Sequence, residues 1–111
     1  MSDCLFCKII AADIPADIVY QDDKVLVFKD INPKADVHLL MIPKLHIESL
    51  AKLDESHNDL MAYMMLKLTE IAHDQGLSGG FRTIINTGKE GGQEVFHLHI
   101  HLLGGKNLPG F

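Results

Sequence analysis

The sequence predicts an α+β domain with a mainly antiparallel sheet. Short, β-rich apolar runs recur along the chain, and one long segment repeats its apolar residues at helical spacing. Strands and helix do not alternate in the rhythm of βαβ units, which argues against a parallel, doubly wound sheet. With 111 residues and 47% hydrophobic content, one compact domain over 1–111 with a modest core is expected.

The elements follow in order. Leu5, Phe6, Ile9 and Ile10 fall on one side of a two-turn helix over roughly Leu5–Ala12, and Pro15 ends it. Ile18–Tyr20 is a short strand, and Gln21-Asp22-Asp23-Lys24 is a turn. Val25–Phe28 and Val37–Ile42 are apolar at consecutive positions, which places both inside a sheet covered on two faces. Asn32-Pro33-Lys34 turns the chain between them, and Pro43 stops the second run. Asp54 is the N-cap of the one long helix, Glu55–Gln75, and Gly76 is its stop. Leu60, Met64, Leu68 and Ile71 form its core stripe, widened by Met61, Met65 and Ala72. Ala62, Tyr63 and Leu66 begin a second apolar face, broader than one small sheet covers. That face predicts packing against a second copy of the protein, the alternative being cover by local loops. Phe81–Asn86 is the fourth strand, Thr87-Gly88-Lys89-Glu90-Gly91-Gly92 a glycine-rich connection, and Val95–Leu103 the last strand.

Composition narrows the function. No stretch approaches the ~20 consecutive apolar residues that span a bilayer. Met1-Ser2-Asp3-Cys4 lacks the basic and then apolar run of a secretory signal. No membrane partner and a cytoplasmic location are therefore expected. Net charge is −5, with 10 basic against 15 acidic residues, whereas a polymeric nucleic acid calls for a basic excess or stripe. A small phosphorylated ligand fits better, because a few backbone N–H groups and imidazoles can hold one phosphate. The seven histidines stand out.

Three of them lie in His97-Leu98-His99-Ile100-His101-Leu102-Leu103. Side chains alternate along a strand, so the three imidazoles share one face and Leu98, Ile100 and Leu102 the other. A merely solvated edge strand would more often use Lys, Thr or Glu on its polar face. A three-histidine metal site strains the geometry. Same-face residues are ~6.7 Å apart, which puts the outer pair ~13 Å apart at Cα, against metal–nitrogen bonds of ~2 Å. Nucleophilic catalysis suits the pattern: neutral imidazole offers a lone pair near pH 7, and the outer rings can orient the middle one. Gly91-Gly92-Gln93, just upstream, can offer backbone N–H groups to phosphate oxygens. A nucleotide-binding module without turnover would use the same pocket. Both cysteines sit in Cys4-Leu5-Phe6-Cys7, which allows redox chemistry, half of a zinc site, or two buried thiols.

The His-φ-His-φ-His-φ-φ run resembles the signature of the histidine-triad superfamily. Phe6-Cys7-Lys8-Ile9-Ile10, Ile14-Pro15, Asp30-Ile31-Asn32-Pro33, Ile42-Pro43-Lys44, His46-Ile47, Gly91-Gly92-Gln93 and Leu103-Gly104-Gly105 extend the likeness over nearly the whole chain. It is most similar to the HINT branch, the purine nucleoside phosphoramidases. The resemblance implies a five-stranded antiparallel sheet with one long and one short helix, joined into ten strands in a homodimer. It implies a nucleotidyl intermediate on His99, with release of an amine from a purine nucleoside 5′-phosphoramidate. His97 and His101 would support catalysis and bind phosphate, and His46 would orient the nucleophile from behind. Asn86, Gly92 and Gln93 match phosphate-contacting positions, Asp30 the ribose acid, and Leu5, Phe6, Ile9, Phe28 and Ile31 the apolar base pocket. No organic cofactor is implied. A structural zinc would map to Cys4, Cys7, His46 and His97. The alternatives within reach are a dinucleoside polyphosphate hydrolase and a non-catalytic nucleotide-binding regulatory dimer. Glu94 stands where some relatives carry a serine that protonates the leaving amine. His38, His57 and His73 are expected to be structural or solvated.

Overall fold

The computed structural model describes residues 3–110. Helix α1 is Leu5–Ile10, followed by strands β1 (Ile18–Gln21), β2 (Val25–Lys29) and β3 (Val37–Pro43). Two 3-10 turns, Leu50–Lys52 and Glu55–His57, lead into helix α2, Asn58–Asp74, and then into β4 (Arg82–Ile84) and β5 (Ile100–Gly104). The sheet has the order β1-β2-β3-β5-β4, and every neighbouring pair is antiparallel. No helix among the described residues is long and apolar enough to cross a membrane.

The consecutive apolar residues of β2 and β3 are explained by a layer on each side. Val25, Val27, Leu39 and Met41 pack with Ile100 and Leu102 under Met64, Leu68, Ile71 and Ala72 of α2. The alternate residues, Leu26, Phe28, Leu40 and Ile42, pack under Phe6 and Ile9 of α1. Covering both faces removes nearly all of this strand surface from water, the main favourable term in folding.

Asp54 caps the 3-10 turn rather than α2 itself. Its Oδ1 accepts from the Ser56 N–H at 2.8 Å, while the Asp54 N–H donates to His57 Nδ1 at 3.1 Å. The capping signal was therefore correct, but the first turn of the expected helix is wound more tightly. Gly76, at φ +79°, ends α2 as expected.

The second apolar face of α2 divides. Tyr63 turns back to the β1–β2 turn, where its hydroxyl and that of Tyr20 both donate to Asp22 Oδ2. Burial raises the Asp22 pKa, but these bonds and those from the Val25 and Lys24 N–H groups hold it well below the usual carboxylate range. Leu66 remains 70% exposed, and Met65, expected to widen the core stripe, is 44% exposed and lies beside it instead.

Two strands are shorter than expected. Hydrogen-bonded pairing of the fourth runs only over Arg82–Ile84 instead of Phe81–Asn86, and the last covers Ile100–Gly104 instead of Val95–Leu103. In front of β5 the Leu98 N–H is taken by the Ile47 carbonyl at 2.7 Å, so the chain bends at His97 before it joins β3.

Candidate active site and metal centre

That bend divides the histidine run between two sites. His97 is fully buried and turned away from the cavity that holds His99 and His101. The expectation of three rings facing one cleft is corrected here. The pleat holds for His99 and His101, but the upstream residue follows the Ile47 connection.

His97 meets the N-terminal cysteines. Its Nδ1 lies 3.4 Å from Cys4 Sγ, 3.6 Å from Cys7 Sγ and 3.1 Å from His46 Nδ1, and Cys7 Sγ lies 3.3 Å from His46 Nδ1. All four ligand atoms fall within 4.8 Å of one another. Tetrahedral zinc with Zn–N near 2.05 Å and Zn–S near 2.3 Å sets its ligands roughly 3.3 Å apart for N···N and roughly 3.6 Å for N···S. The cluster matches those edges. The proton inventory fits too: His97 Nε2–H donates to the Pro43 carbonyl at 2.8 Å, so the neutral ring turns its Nδ1 lone pair inward. Burial pushes the His97 pKa down and keeps that ring neutral. Cys4 Sγ also accepts the Cys7 N–H at 3.4 Å, which fixes the sulfur at the helix N-cap. The residues present fit a structural zinc and leave His99 outside it.

The second site is a cavity of about 600 Å³ between α1, the Asp30–Lys34 turn, β4 and the glycine loop. His99 is 6% exposed and lies on its wall. Its Nδ1–H donates to the carbonyl of His97 at 2.7 Å. A neutral ring with its proton on Nδ1 carries its lone pair on Nε2. No buried side-chain nitrogen or oxygen among the described residues lacks a partner, so this Nε2, with none, is open to the cavity.

His101 has the opposite polarity, and a residue expected to be structural or solvated sets it. His38 is buried, and its Nδ1 accepts the Lys34 N–H at 3.0 Å. Its proton is therefore on Nε2, which donates to His101 Nδ1 at 2.9 Å. His101, with Nδ1 accepting, must carry its own proton on Nε2. The cavity thus holds an acceptor nitrogen and a donor N–H side by side on rings 5.2 Å apart. Burial, then the neighbouring His99 and His38, push the His101 pKa down to about 4, against the pull of Asp30. Burial lowers that of His38 as well, with Asp30 opposing and Lys34 adding. Both rings are neutral at pH 7. Asp30, His38 and His101 also converge within 4.8 Å. Because His38 spends its lone pair on Lys34 and its proton on His101, this group is a hydrogen-bond relay rather than a ligand set.

Leu5, Phe6, Ile9, Phe28, Asp30, Ile31, Asn86 and Gly92 are brought together along the cavity wall. Ile31, 92% exposed, stands at its rim. Gln93 does not line it. Its Oε1 accepts from the Gly88 N–H, its Nε2 donates to the Glu48 and Val95 carbonyls, and the side chain braces the loop from behind. The N–H groups of Gly91, Gly92 and Gln93 donate within the loop, to Gly88, Lys89 and Gly88, so they are not the phosphate donors expected of them. The tight turn needs glycine at 91, where a Cβ would lie 2.2 Å from the Thr87 carbonyl oxygen. His46 sits beside His97, 4.8 Å ring to ring, and the post behind the nucleophile is taken by the His97 carbonyl. His57 caps a turn and His73 is exposed.

The comparisons agree with this geometry. The family model described as "Scavenger mRNA decapping enzyme C-term binding" matches residues 3–110. Protein HitA of Neisseria gonorrhoeae is 59% identical over 104 residues, 94% of this chain and 97% of that protein. Adenylylsulfatase HINT1 of Arabidopsis thaliana is 42% identical, over 96% of this chain and 74% of its own. A 14 kDa zinc-binding protein of Zea mays is 44% identical, over 96% and 85%. The structure of a HIT family hydrolase from Clostridium thermocellum superposes with a TM-score of 0.94 at 42% identity, covering 100% of this chain and 97% of that one. With the paired imidazoles of 99 and 101 on an antiparallel five-stranded sheet, these similarities place the chain in the histidine-triad superfamily, in its HINT-like branch.

Proposed function

We propose that this protein is a nucleotide hydrolase that works through a nucleotidyl intermediate on His99, with purine nucleoside 5′-phosphoramidates as its substrates. The observation that carries the reading is the tautomer pair in the cavity, acceptor Nε2 on His99 beside donor Nε2–H on His101. Attack by His99 Nε2 on the 5′-phosphorus forms the P–N bond to the ring and breaks the P–N bond to the amine. The Nδ1–H stays on the His97 carbonyl, which steadies the positive charge that the ring acquires. His101 Nε2–H holds a phosphate oxygen, and the departing amine takes a proton from water at the cavity mouth. Water then cleaves the nucleotidyl-histidine, releasing the monophosphate, a neutral His99 and one proton, which balances the one consumed.

The rest of the wall suits a purine nucleotide. Asp30 Oδ1 accepts the Asn32 N–H at 2.8 Å, and the carboxylate retains lone pairs for a ribose hydroxyl. Leu5, Phe6, Ile9, Phe28 and Ile31 offer apolar surface to a base, and Asn86 a side-chain donor to phosphate. Two relatives named as an adenylylsulfatase and a hydrolase support a hydrolytic reaction at a nucleotide. Structural zinc at Cys4, Cys7, His46 and His97 belongs to the same reading, supported by the donor set and by a relative named for zinc binding. When bound it would anchor α1 to the segment before β5. So does a homodimer with a ten-stranded sheet, supported by exposed Met65 and Leu66 on α2 and by β4 as an outer strand.

Steady-state hydrolysis of adenosine 5′-phosphoramidate by the wild type and by His99→Asn tests the proposal. Turnover lost in the variant with AMP binding retained supports it. Faster cleavage of a dinucleoside tetraphosphate would move the assignment to polyphosphates. Nucleotide binding with no turnover of either would leave a regulatory dimer.

A further inference from the structure

The metal cluster and the nucleotide cavity share one wall. Helix α1 has six residues, fewer than a peptide needs to hold a helix by itself, so its position depends on what it packs against. It supplies Cys7, and Cys4 at its N-cap, to the cluster. The same turn and a half supplies Leu5, Phe6 and Ile9 to the cavity. Phe6 joins the two. Its ring is 5% exposed and meets three others edge-on: Phe28 at 5.5 Å, His97 at 6.0 Å and His99 at 5.1 Å. One side chain thus touches the base pocket, a ring of the metal cluster and the nucleophile. A second link is covalent, since the residue whose ring enters the cluster also lends its carbonyl to His99 Nδ1.

We infer that zinc in the Cys4–Cys7–His46–His97 cluster and a purine nucleotide in the cavity bind with positive coupling, transmitted by α1 with Phe6 as the positioning residue. This rests on the cavity being a nucleotide site. The sign follows from the shared wall. Each ligand binds best when α1 is seated on β2 and β3, so each raises the population that the other requires. Linkage makes the effect reciprocal, the same factor appearing in both affinities.

Calorimetric titration of AMP into zinc-loaded and chelator-stripped protein measures the factor, and competition titration of zinc with and without saturating AMP measures its reciprocal. AMP should bind five- to twentyfold more tightly to the loaded form, and zinc should gain by the same factor. Phe6→Leu keeps all four ligands and an apolar wall. It should bind zinc within threefold of the wild type while the coupling falls below twofold; Phe6→Met supplies this arm if the leucine variant does not fold. Hydrogen exchange should show that stripping zinc lowers protection more at residues 4–11 and 97–99 than in β2 and β3, which share only the global loss of stability. The inference is overturned by AMP affinities within twofold in the two forms, by undiminished coupling in the Phe6 variant, or by a loss of protection no greater at 4–11 and 97–99 than in the sheet. If AMP binds neither form, the nucleotide assignment itself fails and the coupling falls with it.

Discussion

His97 and His99 are two residues apart and nearly equally buried, yet one faces a closed cluster of sulfur and nitrogen and the other an open cavity. What separates them is the partner of the far ring nitrogen. The Pro43 carbonyl takes the Nε2 proton of His97 and turns its Nδ1 lone pair toward Cys4, Cys7 and His46. The His97 carbonyl accepts the Nδ1–H of His99 and turns its Nε2 lone pair toward the cavity. A backbone acceptor therefore decides which nitrogen is available for chemistry. The third ring, His101, accepts a hydrogen bond at Nδ1 from His38 Nε2–H, and its own Nε2–H makes it the donor of the set.

Breaking the open site should have the largest effect. His99→Asn is expected to lower kcat for adenosine 5′-phosphoramidate by about 10³-fold or more, equivalent to ~4 kcal/mol, with AMP affinity by calorimetry changed little. His38→Leu removes the group that fixes the His101 tautomer and should lower kcat by about 10- to 100-fold, roughly 1.4–2.7 kcal/mol. His38→Asn, whose amide can both accept from Lys34 and donate to His101, should recover part of that loss. Equal rates in the two His38 variants would mean the ring serves only as packing.

Breaking the closed site should act on stability more than on chemistry. Cys7→Ser, or chelation of the wild type, forfeits the linkage stabilisation of a bound ion, about 2.7 kcal/mol at a hundredfold excess over Kd. Tm by calorimetry should fall by roughly 10 °C. A Tm unchanged by chelator would argue that the cluster binds no metal.

The two sites should also differ in acid. His101, with a pKa near 4 in the fold, is below its unfolded value of about 6.5. Between those values the unfolded chain binds more protons, so stability falls as pH drops through the window and is fully present above it. One such ring contributes a slope of up to about 1.4 kcal/mol per pH unit, and His38 adds in the same direction. Urea unfolding from pH 7 to pH 4, with chelator in every sample, should show this decline, and a shallower one in His101→Gln. Parallel declines would assign the acid sensitivity elsewhere. The smallest expected effect is at Tyr63→Phe, which removes one of two phenol bonds to Asp22 and should lower Tm by less than loss of the metal does.

How much of this was legible in the sequence depended on whether a pattern was local. Consecutive apolar residues in 25–28 and 37–42 announced strands buried on both faces, because each side chain had to find a layer. The alternation of His99, Ile100, His101 and Leu102 likewise announced one polar and one apolar face. His38 was missed because its role comes from register across the sheet. It pairs with Leu103, which sets it diagonal to His101, and no local spacing encodes that pairing. The available signal was a histidine inside an otherwise apolar buried strand, which must have a partner for each nitrogen. His46 rests on likeness alone, and Gln93 on its place after two glycines; contacts about fifty residues away in the sequence, which no local pattern encodes, set one in the cluster and the other behind the loop. The end of the pairing at Ile100 depended on Ile47, about fifty residues away, and no pattern in 95–103 could show it.

The central claim is that Nε2 of His99 bonds to phosphorus. Mass spectrometry of protein quenched in acid-free denaturant during turnover of adenosine 5′-phosphoramidate addresses it directly. An adenylyl mass increment on the peptide containing His99, absent in His99→Asn, is the predicted result. Turnover with an unmodified His99 peptide, or with the increment on another residue, would contradict it.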